Sequence, residues 1–138
     1  MDFLPPLSNF QNETSGTITS YRTNKLQIES TERPVLVFLH GFNGSSKSWA
    51  CQFSHFTRQT VIAIDAPGFG ESQCVDGGMV AIADEVAALI ASLVTDKAVI
   101  IGHSMGGMLA QVLGATHPDI CLAIILSCTH KGRAQPVG

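Results

Sequence analysis

The sequence predicts an α/β protein, a mostly parallel sheet flanked by helices, on three observations. The segments PVLVFLHG (Pro34 to Gly41), TVIAIDAPG (Thr60 to Gly68), KAVIIGHS (Lys97 to Ser104) and CLAIILSC (Cys121 to Cys128) are continuous apolar runs rich in Val and Ile. Strands without alternation are covered on both faces, as parallel strands are. Between the runs, apolar residues recur every three or four positions: Trp49, Phe53, Phe56; then Val86, Ile90, Leu93; then Met105, Met108, Leu109, Val112, Leu113. Each set lies on one helix face and reads as core. Strand and helix patterns alternate, which argues for right-handed crossovers in a parallel sheet.

Taken in order, residues 1–15 read as an irregular leader containing Pro and Asn. GTITSYR and KLQIES then read as two short strands around Thr23-Asn24, a hairpin. The four runs and their helices follow within one unit, residues 16–138, with no internal repeat or interdomain linker.

Composition narrows the function. The chain has 138 residues, 45% hydrophobic and 14% charged, enough for a single buried core. A net charge of −3 without a basic run gives no surface that could follow a phosphate backbone, so nucleic acid is not an expected partner. No stretch approaches eighteen apolar residues and the N-terminus lacks a charged opening before an apolar run. The expectation is a cytoplasmic protein with no membrane partner. Cys51, Cys74, Cys121 and Cys128 form no C-x-x-C pair and read as reduced thiols. A zinc site from Cys121, Cys128 and His130 matches no usual ligand spacing.

The informative stretch is VIIGHSMGGMLAQVLG, where Ser104 stands between Gly102 and Gly106 as a strand run gives way to a helix run. Such a match arises by accident in about one chain of this length in twenty. The strand before and the helix after raise its weight. A sharp strand-to-helix turn forces its apical residue into a strained conformation and exposes that side chain beyond the sheet's carboxyl edge, where ligands bind. Glycines at Gly102 and Gly106 let the turn close without a Cβ collision.

With HGFNGS (His40 to Ser45) and DAPGFGES (Asp65 to Ser72) in this order and spacing, the chain resembles the α/β-hydrolase fold family, from about Gly16 to its C-terminus. The likeness is to its esterases, lactonases and cofactor-free haloperoxidase-like members. The resemblance implies that Ser104 is the nucleophile and that the backbone N–H groups of Phe42 and Met105 form the oxyanion hole. It implies a serine hydrolase of esters or lactones working without metal or organic cofactor. Gly41 and Gly44 would let the backbone approach a substrate. His40, His103 and Asp65 read as packing and loop-satisfying residues rather than acid or base.

A Ser hydroxyl needs a His, and the His a carboxylate, in the family order Ser, acid, His. Asp119 and His130 satisfy that order formally. A helix from about Met105 to His117, however, carries the chain roughly 20 Å from the active edge, so Asp119 falls at the opposite end of the sheet. His130, just past the last run, lies on the active side. By resemblance, the chain covers the fold only through about its sixth strand, lacks the cap and C-terminal strands, and is expected to be inactive or very weak alone. The exposed LAIIL would then need covering by the missing C-terminal half or a partner chain. Two other readings are a non-catalytic ligand-binding or regulatory protein and a carbon–carbon bond hydrolase.

Overall fold

The computed structural model describes residues 4–25 and 33–129. Six strands form one sheet: β1 (Leu7–Gln11), β2 (Ile18–Thr23), β3 (Val35–Leu39), β4 (Val61–Ile64), β5 (Ala98–His103) and β6 (Cys121–Ser127). Their spatial order is β1-β2-β4-β3-β5-β6. Strands β3 to β6 run parallel, and β1 and β2 are antiparallel additions at one edge. Each of the four apolar runs supplies one parallel strand.

Alternate residues of the central strands bury against opposite layers. Val37, Leu39, Ile62, Ile64 and Ile100 pack on α2 (Gly78–Leu93) and α3 (Met105–Thr116). Leu36, Phe38, Val61, Ala63 and Val99 pack on Trp49 and Phe53, from a 3₁₀ turn (Ser46–Trp49) and the short α1 (Ala50–His55). Covering on both faces explains why these strands lack a polar alternation.

The N-terminal edge differs from the sequence reading. Residues 7–11, inside the stretch expected to be an irregular leader, form β1 and pair with β2 from Leu7↔Arg22 to Gln11↔Ile18. The hairpin therefore turns at residues 12–17. Asn12 shapes it, accepting from the Thr14 amide through Oδ1 (2.9 Å). Glu85 of α2 accepts from Asn12 Nδ2 (3.1 Å) and Ser15 Oγ (3.0 Å), fastening the loop to the body. GTITSYR is not the first arm of a hairpin at Thr23-Asn24, because β2 pairs with β1 on one side and with β4 on the other, through Thr23↔Ile62. Asn24 instead clamps the strand ends, accepting from Val61 N–H (2.9 Å) and donating to the Gln59 carbonyl (3.0 Å). The predicted strand KLQIES lies, from residue 26 on, outside the described residues.

At the other edge, β6 is exposed along most of its length. Leu122, Ile124, Ile125 and Leu126 are all exposed. Among the described residues no helix is long and apolar enough to cross a membrane.

Candidate active site

Strand β5 ends at His103 and α3 begins at Met105, leaving Ser104 alone at the junction with φ 55° and ψ −116°. A non-glycine residue there costs about 1–3 kcal/mol and persists only where its surroundings fix it. They do. The Ser104 amide donates to the Ser127 carbonyl (2.9 Å), and its carbonyl accepts from Gly107 N–H (2.9 Å) and Thr129 Oγ1 (2.6 Å). The end of β6 thus holds the turn in place.

The flanking glycines make close approach possible. A Cβ on Gly102 would fall on the backbone of Gly106 and Gly107, and one on Gly106 would fall on the carbonyls of Leu39 and His40. The first turn of α3 therefore rests directly on the backbone of β5 and on the end of β3.

The loop after β3 closes over this turn. A Cβ on Gly41 would lie 3.3 Å from both Ser104 Cβ and His103 Cδ2. Beside it opens a cleft of about 420 Å³ that Phe42, Asn43, Ser48, Trp49, His103 and Ser104 help to line. Neither the Phe42 nor the Met105 amide donates a hydrogen bond to any described residue, and the Ser104 hydroxyl has no such partner either. Met105 N–H is among the first helical amides, which carry the positive end of the helix dipole.

His40 and Asp65 hold the loops. His40 is buried, accepts the Ala66 N–H at Nε2 (3.1 Å), and therefore carries its proton on Nδ1, which donates to the Gly41 carbonyl (2.7 Å). Burial lowers its pKa from the ordinary value, outweighing the opposing effects of the Gly41 carbonyl and the Asp65 carboxylate. The folded state therefore binds fewer protons than the unfolded state just below pH ~6.5, so stability should fall as pH drops from there. The slope reaches at most about 1.4 kcal/mol per pH unit for one proton. Denaturant titrations between pH 7.5 and 5 should show this slope in the native sequence and a flatter one in His40→Gln.

Asp65 is also buried and accepts from Ser46 N–H (2.6 Å) and Ser20 Oγ (2.6 Å). Ser72 Oγ donates to the Asp65 carbonyl (2.6 Å) and accepts from the Ser20 amide (2.8 Å). The loop-satisfying reading of Asp65 holds, although its serine partners were not foreseen. The serines of HGFNGSS and DAPGFGES were the available signal.

Trp49 was expected in the core. Its ring does pack on Phe38 (4.7 Å between centroids), but it also lines the cleft, and its buried Nε1 has no partner among the described residues. His103 is exposed, with one long contact from Nδ1 to Ser127 Oγ (3.4 Å).

The remaining candidates do not gather at Ser104. Asp119 sits in a 3₁₀ turn (Pro118–Ile120) just before β6, whose first residue pairs with Ala98 at the start of β5. That is the end of the sheet away from Ser104. Cys121, the first residue of β6, and Cys128, just past its end, are about 23 Å apart at 3.3 Å per residue, too far to share a zinc ion. His130 lies outside the described residues.

Residues 34–136 match the α/β-hydrolase fold family. The chain belongs to that family. It is 33% identical over 103 residues to 2-succinyl-6-hydroxy-2,4-cyclohexadiene-1-carboxylate synthase of Enterobacter sp. (strain 638), a match spanning 72% of this chain and 39% of the synthase. Among solved α/β-hydrolase structures, Est816, an N-acyl homoserine lactone degrading enzyme, superposes with a TM-score of 0.74 at 30% identity, over 88% of this chain and 45% of Est816. A thermophilic esterase from Thermogutta terrifontis superposes with a TM-score of 0.76 at 28% identity, over 95% of this chain and 48% of the esterase. The chain thus spans less than half the length of each of these hydrolase-fold relatives.

Proposed function

We propose that this chain carries the nucleophile half of a serine hydrolase acting on carboxylic esters or lactones. The observation that carries the reading is the strained Ser104, its hydroxyl without a hydrogen-bond partner among the described residues, lining a cleft with Phe42, whose amide, like that of Met105 next to Ser104, is unpaired among those residues. Similarity to a lactone-degrading enzyme and an esterase supports the substrate class.

In this reading Ser104 Oγ attacks the carbonyl carbon, the C=O electrons move onto oxygen, and the Phe42 and Met105 amides stabilise the resulting oxyanion. Fixed donors of this kind are worth about 3 kcal/mol each, because they need no reorganisation as charge develops. Collapse of the tetrahedral intermediate expels the alkoxide and leaves an acyl group on Ser104. Water then releases the acid. The Ser proton must pass to a base and on to the leaving alkoxide, and that base, a His oriented by a carboxylate, is assigned to chain beyond the described residues.

The test follows from that division. The 138-residue chain alone should hydrolyse p-nitrophenyl acetate at no more than about 10³- to 10⁴-fold over water, the residue left when triad members are lost. Asp119→Asn should leave this rate unchanged. Rapid turnover abolished by Asp119→Asn would replace the reading with a compact triad inside this chain.

The identity with a synthase favours one second reading, carbon–carbon bond chemistry at the same Ser104 turn. Parallel assays with an activated ester and a vinylogous diketone separate the two.

A further inference from the structure

We propose that the hollow at the amino edge of the sheet, between the segment entering β3 and the one entering β4, is a binding site for a soluble phosphomonoester. It is a second site. Arg33 and Pro34 precede β3 and residues 56–60 precede β4, whereas Ser104 follows the end of β5, which runs parallel to β3 as β3 does to β4. The five residues of β3 alone separate the two edges by roughly 17 Å at 3.3 Å per residue, so the inference stands apart from the hydrolase reading.

Every charged side chain lining the hollow is basic. Arg33, His55, Phe56, Thr57, Arg58 and Gln59 border a volume of about 300 Å³, at the lower end of the range for small-molecule pockets. The chain as a whole carries a charge of −3, yet two of its four arginines meet here. The Arg58 side chain enters no ion pair or hydrogen bond among the described residues. A guanidinium carries five N–H donors, so even one that is partly engaged keeps several for a ligand.

The backbone of the same loop adds donors. The carbonyls of Phe56 and Gln59 accept from Asn24 Nδ2 (3.4 and 3.0 Å), and Gln59 Nε2 donates to the Pro34 carbonyl (2.9 Å), which ties the two segments together. The amides of Thr57, Arg58 and Gln59, three in succession, donate to no described residue. Carbonyls that would repel an anion are thus occupied, while the amides that would hold one are open. Successive backbone N–H groups of this kind form anion-binding concavities.

The donor set discriminates between anions. Two guanidinium forks, an imidazole N–H, the Thr57 hydroxyl and three amides exceed what the two coplanar oxygens of a carboxylate accept. The three terminal oxygens of a phosphomonoester take donors from several directions, two of them from one fork. The His55 and Phe56 rings, edge to face with centroids 4.8 Å apart, offer the organic part of the ester an apolar wall.

The probe is phenyl phosphate, titrated into the ¹⁵N-labelled chain at physiological salt. The expected result is saturable one-to-one binding, with amide shifts concentrated at residues 33 and 55–59 and none at 102–106. Affinity should fall by about 10-fold or more in Arg58→Gln and in Arg33→Gln, each of which removes a charge-assisted hydrogen bond. Both positions are exposed, so the variants should keep the circular dichroism of the parent, and the shift map of the parent depends on neither. Inorganic phosphate, which lacks the ring, and benzoate, which lacks the third oxygen, should each bind more weakly than phenyl phosphate. Absence of saturable shifts in the parent, affinity unchanged in both variants, or shifts centred on the Ser104 turn would overturn the site. Equal binding of inorganic phosphate or of benzoate, or association only with vesicles carrying phosphatidic acid, would overturn the soluble phosphomonoester as its ligand.

Discussion

In an assembly containing the catalytic base, Ser104→Ala should lower ester turnover by about 10⁴- to 10⁶-fold, because a nucleophile and its base act as one unit. The fold should survive. Ala keeps the Cβ that Gly41 packs beside, and the bonds fixing the turn run through the Ser104 backbone rather than its hydroxyl. Ser104→Gly should be equally inactive, yet more stable by about 1 kcal/mol, since Gly accepts φ 55° without strain. Steady-state kinetics with urea unfolding of both variants checks the pair. Turnover within 10-fold of the parent in either one would remove Ser104 from the chemistry.

The second large effect is on stability. Gly106→Ala should destabilise by about 3 kcal/mol or more, because the new methyl lands on the Leu39 and His40 carbonyls at the end of β3. Helix propensity alone predicts the opposite, a gain of about 1 kcal/mol for Ala over Gly inside a helix. The sign therefore decides between backbone contact and local preference. Gly114→Ala is the control: in the same helix it meets only the Ile124 side chain, above all its terminal Cδ1, which is flexible and exposed, and should cost far less. Urea midpoints of the two variants give the comparison.

The parallel core was legible because burial on both faces of a strand leaves a clear record, the unbroken apolar runs at residues 35–39, 61–64 and 98–101; the run at 121–127 has the same apolar character but is exposed along most of its length. The Ser104 turn was legible for a different reason. Its glycines answer a steric demand made within five residues, so the cause and the signal lie together in the sequence. The N-terminal edge was not readable in this way. LSNFQ is an edge strand whose burial is only partial, and its polar residues face solvent or the hairpin, so it looks like irregular chain. Asn24 looked like a turn former, but its side chain bonds residues 35 and 37 positions later in the sequence, a distance no local pattern reports. The Asp65 network is similar. Its serines come from three separate segments, and only the tertiary fold brings Ser20, Ser46 and Ser72 around one aspartate.

Trapping the covalent intermediate tests the central claim, that Ser104 is the nucleophile, most directly. A preparation that contains the catalytic base should be treated with a fluorophosphonate, which phosphonylates an activated Ser oxygen with loss of fluoride, and the tryptic peptides read by mass spectrometry. The account predicts one phosphonyl group per chain, on the peptide containing Gly102 to Gly106 and localised to Ser104, and none in Ser104→Ala. A label on another residue, or an unlabelled Ser104 in an assembly that turns over ester, would contradict it.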